Sequence, residues 1–268
     1  MEVLDARADP GEFFARLSGC RARALLLDYD GTLAPFAAGH ADVVPYPGVR
    51  DSLLRILAAP QPTHVAIVSG RAVETLAALV AIPGGVELWG SHGLERRTVD
   101  GEMIAAPGRP AETDFLEQIC SWVCTEGWQD MLERKPRGMA VHGRGRDPAL
   151  YEAARAALID RWERRARSLG LETLEFDAGI ELRPRGGHKG LVVEETLARL
   201  GEEACVAYLG DDRTDEDAFR ALGRRGLSVL VRAEKRPTSA HVWIRPPDEL
   251  LAFLSEWERA VGAEGKAQ

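Results

Sequence analysis

An α/β fold is predicted from three short apolar runs, each closed by polar or glycine punctuation and each preceding a segment of helical periodicity. The runs are Ala24–Leu27 before Asp28, His64–Val68 before Ser69-Gly70-Arg71, and Cys205–Leu209 before Gly210-Asp211-Asp212. The helical segments are Val49–Leu57, Val73–Val80 and Glu216–Leu222. Short buried strands alternating with helices imply a doubly wound parallel sheet, Rossmann-like in outline. Val86–Trp89, before Gly90-Ser91-His92-Gly93, and Leu227–Val231 extend the same sheet. The middle of the chain reads differently. Ala111–Trp128 is a helix, Met131–Lys135 and Met139–Arg144 are strands, Pro148–Leu169 is a long helix, and Leu174–Phe176 and Ile180–Leu182 are strands again. Helix-strand-strand repeated twice is the pattern of a small α+β unit with an antiparallel sheet. Pro107-Gly108-Arg109-Pro110 leads into it and Pro184-Arg185-Gly186-Gly187 leads out, both plausible hinges. Residues 1–106 and 186–268 are therefore expected to form the α/β core, and 107–185 an inserted α+β cap domain.

A chain of 268 residues can bury a substantial core as one large domain or two smaller ones. Its net charge of −8 argues against non-specific nucleic-acid binding, so an anionic substrate must meet a local basic patch. Met1-Glu2-Val3-Leu4-Asp5 lacks the basic and apolar segments of a signal peptide, and no apolar stretch approaches membrane-spanning length. Cys20, Cys120, Cys124 and Cys205 show neither disulfide nor zinc spacing. Cys120 and Cys124, four apart on a helix, are expected to be buried thiols. A cytoplasmic protein is the expectation.

Asp28-Tyr29-Asp30-Gly31-Thr32 sits where an apolar strand meets a glycine turn. Two carboxylates one residue apart repel each other there, which disfavours a purely stabilising role. At the carboxyl end of a parallel strand such a pair can bind a metal or attack phosphorus. An Asx-turn through Asp30-Gly31 is the plainer alternative, and a calcium loop lacks its later glutamate. Ser69 follows a strand and faces a helix start, as a cap or a phosphate contact. Lys189, in Gly186-Gly187-His188-Lys189-Gly190, is poorly placed at the positive end of a helix unless it reaches a bound phosphate. In Gly210-Asp211-Asp212-Arg213-Thr214-Asp215, capping accounts for Thr214 or Asp215 but not for Asp211 and Asp212. Hard oxygen ligands converging from two strand ends suit magnesium.

In this order, Asp-x-Asp-Gly-Thr, a serine after a strand, a lysine and Gly-Asp-Asp-x-x-Asp resemble the haloacid dehalogenase superfamily of phosphatases. Trp89-Gly90-Ser91-His92-Gly93-Leu94-Glu95, Glu133-Arg134-Lys135-Pro136, Val141-His142-Gly143-Arg144 and Gly179-Ile180-Glu181-Leu182-Arg183-Pro184 resemble trehalose-6-phosphate phosphatases within it. The likeness runs from about Ala22 to Pro246; Ser91 departs from it, standing where a smaller or amide residue is expected.

The resemblance implies roles. Asp28 would be a nucleophile forming an aspartyl-phosphate, and Asp30 would protonate the leaving sugar oxygen and then activate water. The Asp28 carboxylate, the Asp30 carbonyl and Asp211 would hold Mg²⁺, supported by Asp212 and Asp215. Thr32, Ser69 and Lys189 would hold phosphoryl oxygens. His92, Gly93, Glu133, Lys135, Arg144 and Glu181 would contact the sugar. Trehalose 6-phosphate is then the expected substrate, with a trehalose-6-phosphate synthase a candidate partner. The core motifs are compatible with sucrose phosphate or glucosyl-glycerate phosphate too. A non-catalytic sugar-phosphate-binding partner of a glycosyltransferase is disfavoured by the presence of Asp28, Asp30 and Lys189. A receiver domain is disfavoured by the inserted cap and by Asp30.

Overall fold

The computed structural model describes residues 1–35, 43–105, 108–176 and 179–262, so Pro107 of the first expected hinge lies outside the described residues. Two compact units result. One contains the described residues up to Ile104 and from His188 onward, and the other is Ala105–Gly187.

The first unit opens with β1 (Glu2–Val3), α1 (Pro10–Leu17), β2 (Arg23–Asp28), α2 (Val49–Leu57) and β3 (His64–Val68). It continues with α3 (Val73–Val80), β4 (Val86–Gly90), β5 (Glu95–Arg97) and β6 (Met103–Ala105). The second unit holds α4 (Pro110–Thr125), β7 (Leu132–Lys135), β8 (Gly138–His142), α5 (Pro148–Ser168), β9 (Leu171–Phe176) and β10 (Gly179–Pro184). The chain then returns with α6 (Gly190–Leu200), β11 (Cys205–Gly210), α7 (Glu216–Leu222), β12 (Gly226–Val231), β13 (Val242–Ile244) and α8 (Asp248–Gly262).

The larger sheet runs β1-β13-β12-β11-β2-β3-β4-β5-β6. Its strands from β13 to β4 are parallel, while β1 and β5 pair antiparallel with their neighbours. Both faces are covered, which is why β2 is buried along its whole length and reads as an unbroken apolar run. Side chains alternate across it. Leu25 and Leu27 join a core with α2, α3 and α8; Ala24 and Leu26 join a second core with Val192 and Val193 of α6 and Phe219 of α7. Asp28 has the parity of Ala24 and Leu26, so it emerges on the α6 and α7 side.

The second unit has an antiparallel sheet in the order β7-β8-β10-β9, with its own core built on Phe115, Ile119, Leu158 and Trp162. Three expectations are corrected. Cys20 and Cys205 form a disulfide across 185 residues. Sheet topology brings them together: β11 pairs with β2 and sets Cys205 opposite Arg23, three residues past Cys20, a proximity that linear spacing cannot show. Cys120 is buried, but Cys124 is exposed, because the buried stripe of α4 ends on Cys120 and Val123. The strand expected to reach Arg144 ends at His142, since the chain turns through Gly143 and through Gly145 at φ 73°. No helix of the described residues is long and apolar enough to cross a membrane.

Candidate active site

The strand ends of β2, β3 and β11 are adjacent in the sheet, and the carboxyl edge they share gathers the polar residues of the core unit. Asp28 closes β2 and is 3% exposed. Behind it the chain turns on Gly31 at φ 87°, with Leu33 and Ala34 donating to the Tyr29 carbonyl. That turn buries Thr32 completely. Lys189, immediately before α6, donates to Asp28 Oδ1 at 2.5 Å and to Asp215 Oδ1 at 2.8 Å. The two carboxylates offset the poor fit of a cation to a helix start. Burial alone would lower the Lys189 pKa, but the charges of Asp215 and Asp28 outweigh it and push it above the usual lysine range. Asp28 is pushed up to about 7, chiefly by burial and then by the Asp215 charge, with Lys189 acting in the opposite direction. Asp211 is also raised well above the ordinary carboxylate range, by burial first and then by Asp28 and Asp215.

Carboxylate oxygens of Asp28, Asp211 and Asp215 lie within 4.8 Å of one another. Their chemistry separates them. Asp215 Oδ1 accepts from Lys189 and from the buried Tyr208 hydroxyl at 2.7 Å, and Oδ2 accepts from the Asp211 and Asp212 amides at 3.0 and 2.9 Å. Both of its oxygens are engaged, which suits a supporting residue. Asp28 Oδ2, Asp211 Oδ2 and Thr32 Oγ1 are buried and accept no hydrogen bond, the nearest cation to Asp211 being Arg232 at 3.8 Å. Uncompensated buried oxygens are expensive unless a ligand completes them. The donor set, all hard oxygen, fits a small divalent cation.

Ser69 lies just beyond β3, 1% exposed, where its hydroxyl is 3.5 Å from Asp30 Oδ2 and accepts from the Arg71 amide at 3.1 Å. It does not cap α3, whose N-cap is Ala72. Arg71 grips Asp30 with Nε at 2.8 Å and Nη2 at 2.7 Å. His92 and Gly93 follow β4; the His92 amide donates to the Ser69 carbonyl at 3.0 Å, and Gly93 packs on His188.

Within the second unit, register explains a second cluster. Glu133 on β7 and Glu181 on β10 both pair with Ala140 of β8, so the small alanine lies between two carboxylates in one cross-strand row. Lys135 Nζ is 3.0 Å from Glu181 and 4.0 Å from Glu133, and His142 Nε2 is 2.9 Å from Glu133. Arg144 lies past the end of β8 and does not share its strand face with His142.

Three residues at the core site escaped the sequence reading. Arg71 was visible in Ser-Gly-Arg after a strand, and Tyr208 shares strand parity with Gly210 before the aspartates. Arg236, which donates to the carbonyls of Asp211 at 3.1 Å and Asp212 at 2.7 Å, left no local signal.

A parallel sheet of this order, with a strand-end aspartate pair beneath a buried lysine, is a fold also seen in a solved structure described as a haloacid dehalogenase-like hydrolase. That protein, from Bacteroides thetaiotaomicron, superposes with a TM-score of 0.62 at 18% identity, over 87% of this chain and 98% of its own. The chain belongs to the trehalose-phosphatase family, whose model matches residues 26–244. The C-terminal domain of trehalose-6-phosphate phosphatase from C. albicans shares the fold, with a TM-score of 0.78 and 21% identity across 97% of this chain and 99% of that one. Trehalose-phosphate phosphatase B of Arabidopsis thaliana is 29% identical over 90% of this chain. The chain spans 68% of that relative's length, and 66% and 60% of two others.

Proposed function

We propose that the chain hydrolyses trehalose 6-phosphate to trehalose and phosphate through an aspartyl-phosphate on Asp28, with Mg²⁺ held by Asp28, the Asp30 carbonyl and Asp211. The observation that carries this reading is Asp28 Oδ2, a buried carboxylate oxygen without a hydrogen bond, while Oδ1 is fixed by Lys189. Asp28 Oδ2 attacks phosphorus as the bond to the sugar oxygen breaks, and Asp30 gives that oxygen its proton. Asp30 then takes a proton from water, whose oxygen attacks phosphorus and frees Asp28. Thr32, Ser69 and Lys189 hold the phosphoryl oxygens. When bound, the metal supplies positive charge beside the reacting phosphate. Asp212 and Asp215 support the metal loop, and Asp215 fixes Lys189 as well. In the cap we assign Glu133, Lys135, Arg144 and Glu181 to the sugar, and in the core His92 and Gly93. A trehalose-6-phosphate synthase is the enzyme that would supply the substrate.

Metal binding is testable without turnover. The raised pKa values of Asp28 and Asp211 mean that a proton must leave as the cation enters. Apparent Mg²⁺ affinity should therefore climb between about pH 5 and pH 8. Calorimetry in buffers of different ionisation enthalpy should show proton release, and chelation should stop phosphate release. A pH-independent affinity without proton release would contradict the metal assignment.

Sugar recognition by the cap predicts unequal losses. Glu181→Ala should lower kcat/KM for trehalose 6-phosphate by roughly 10-fold or more, the scale of a lost buried hydrogen bond. It should lower that for p-nitrophenyl phosphate far less, because an aryl phosphate offers no sugar hydroxyls. Parallel losses on both substrates, with folding intact by circular dichroism, would remove Glu181 from substrate recognition.

A further inference from the structure

Ser91 and His92 adopt φ values of 48° and 58°, two consecutive non-glycine residues in the left-handed region. A side chain disfavours that conformation, so the surroundings must impose it. They do so by interlocking two loops. The Ser69 amide donates to the Trp89 carbonyl at 2.8 Å, the Ser91 amide to the Arg71 carbonyl at 2.8 Å, and the His92 amide to the Ser69 carbonyl at 3.0 Å. The loops lie so close that a Cβ on Gly70 would sit 2.7 Å from the His92 ring, and one on Gly90 would sit 2.6 Å from the Val73 amide nitrogen.

The fastening between them is Glu95, the first residue of β5 and only 4% exposed. Oε1 accepts from the Ser91 hydroxyl, and Oε2 accepts from the Val73 amide at 3.2 Å. Val73 is the first residue of α3, and the N-cap of that helix, Ala72, has no side chain able to cap it. Glu95 thus caps α3 from another element and holds the left-handed turn with its other oxygen. Among the described residues no lysine or arginine pairs with it. A carboxylate so buried and so supplied with donors is not filling space. Ser91 departs from the amide or smaller residue expected there; its hydroxyl gains a partner that neither alanine nor glycine could use.

We propose that Glu95 is a positioning residue that, through Ser91 and the start of α3, sets His92 against Ser69 and so aligns the sugar-binding side of the core site with the phosphate-binding side. The inference rests on the reading of His92 and Ser69 given above. Its test uses the full chain with Glu95→Ala, Glu95→Gln and Ser91→Ala. The His92 imidazole resonances, recorded by NMR without substrate, should shift or split in Glu95→Ala. The ratio of kcat/KM for trehalose 6-phosphate to that for p-nitrophenyl phosphate should fall about 10-fold, mostly through KM, as misplacement of a binding group predicts. Glu95→Gln can still accept from Val73 while its amide donates to Ser91, and should recover to within about 3-fold of the starting ratio. Should Glu95→Ala fail to fold, Ser91→Ala reads the same resonances with only a hydroxyl removed, and these should shift. Unchanged His92 resonances in either folded variant, or equal losses on both substrates at constant KM, would overturn the proposal. If the unmodified chain releases no phosphate from trehalose 6-phosphate, the substrate reading fails instead, and the substrate-free resonances still decide the role of Glu95.

Discussion

Asp28→Asn should reduce phosphate release by about 10⁴-fold or more, the scale on which enzymes lose activity when a nucleophile is removed. The carboxamide cannot form the acyl phosphate, and it removes a charge from the group built with Asp211 and Lys189. The fold should survive, and the sign of the pKa shift says why. Asp28 is held near 7 in the folded chain against an ordinary value of 3.8, so the folded state retains a proton that the unfolded state has lost. Its contribution to stability therefore falls as pH rises from about 4 to about 7 and stays unfavourable above that window. Asparagine has no such penalty. Without metal at pH 8, the melting temperature of Asp28→Asn should equal or exceed that of the unmodified chain. Rapid acid quenching should trap phosphate on protein only when Asp28 is present. A folded Asp28→Asn variant with near-normal turnover would end the covalent mechanism.

Lys189→Met should be the change most damaging to stability, and it should cost activity as well. The methionine keeps an unbranched stem but leaves Asp28 and Asp215, both buried, without their shared cation. Breaking a buried ion pair from one side destabilises by roughly 3–5 kcal/mol. Because the folded pKa of Lys189 is raised, its stabilising contribution is fully present below about 10.5 and lost only as pH rises beyond that. The variant's deficit should be smaller at pH 5, where the orphaned Asp28 can take up a proton, than at pH 8. Urea unfolding of the metal-free proteins at the two pH values measures this directly. Turnover should drop by about 10³-fold or more, since the lysine fixes Asp28 and is proposed to hold a phosphoryl oxygen. An equal deficit at both pH values would mean that the ion pair is not what Lys189 contributes.

Much of this was legible in the sequence for a physical reason. Strands buried on both faces leave unbroken apolar runs, and β2, β3 and β11 were read almost to the residue, together with α2, α3 and α7. That Asp28, Ser69 and Asp211 would share one edge was legible because strand ends in a parallel sheet converge whatever their separation in sequence. The short strands β1, β5, β6 and β13 were not read, since two or three residues carry no period. Helix α8 was missed despite an apolar stripe through Leu250, Phe253, Leu254, Trp257 and Val261 that was there to be counted. Arg236 and the Cys20–Cys205 bridge belong to a third kind. Each depends on which strands become neighbours, and no local pattern carries that information.

The alternation of side chains in β2 gives catalysis an odd-even character that composition does not. Ala24 and Leu26 face α6 and α7, Leu25 and Leu27 face away, and Asp28 follows the even set. Deleting any one of these four apolar residues would leave a run that can still pair and bury, yet it would swing Asp28 to the side opposite Lys189. Deleting two would shorten the strand and restore the side. A deletion ladder through β2 should therefore read as a rhythm of two, with activity following parity more closely than length.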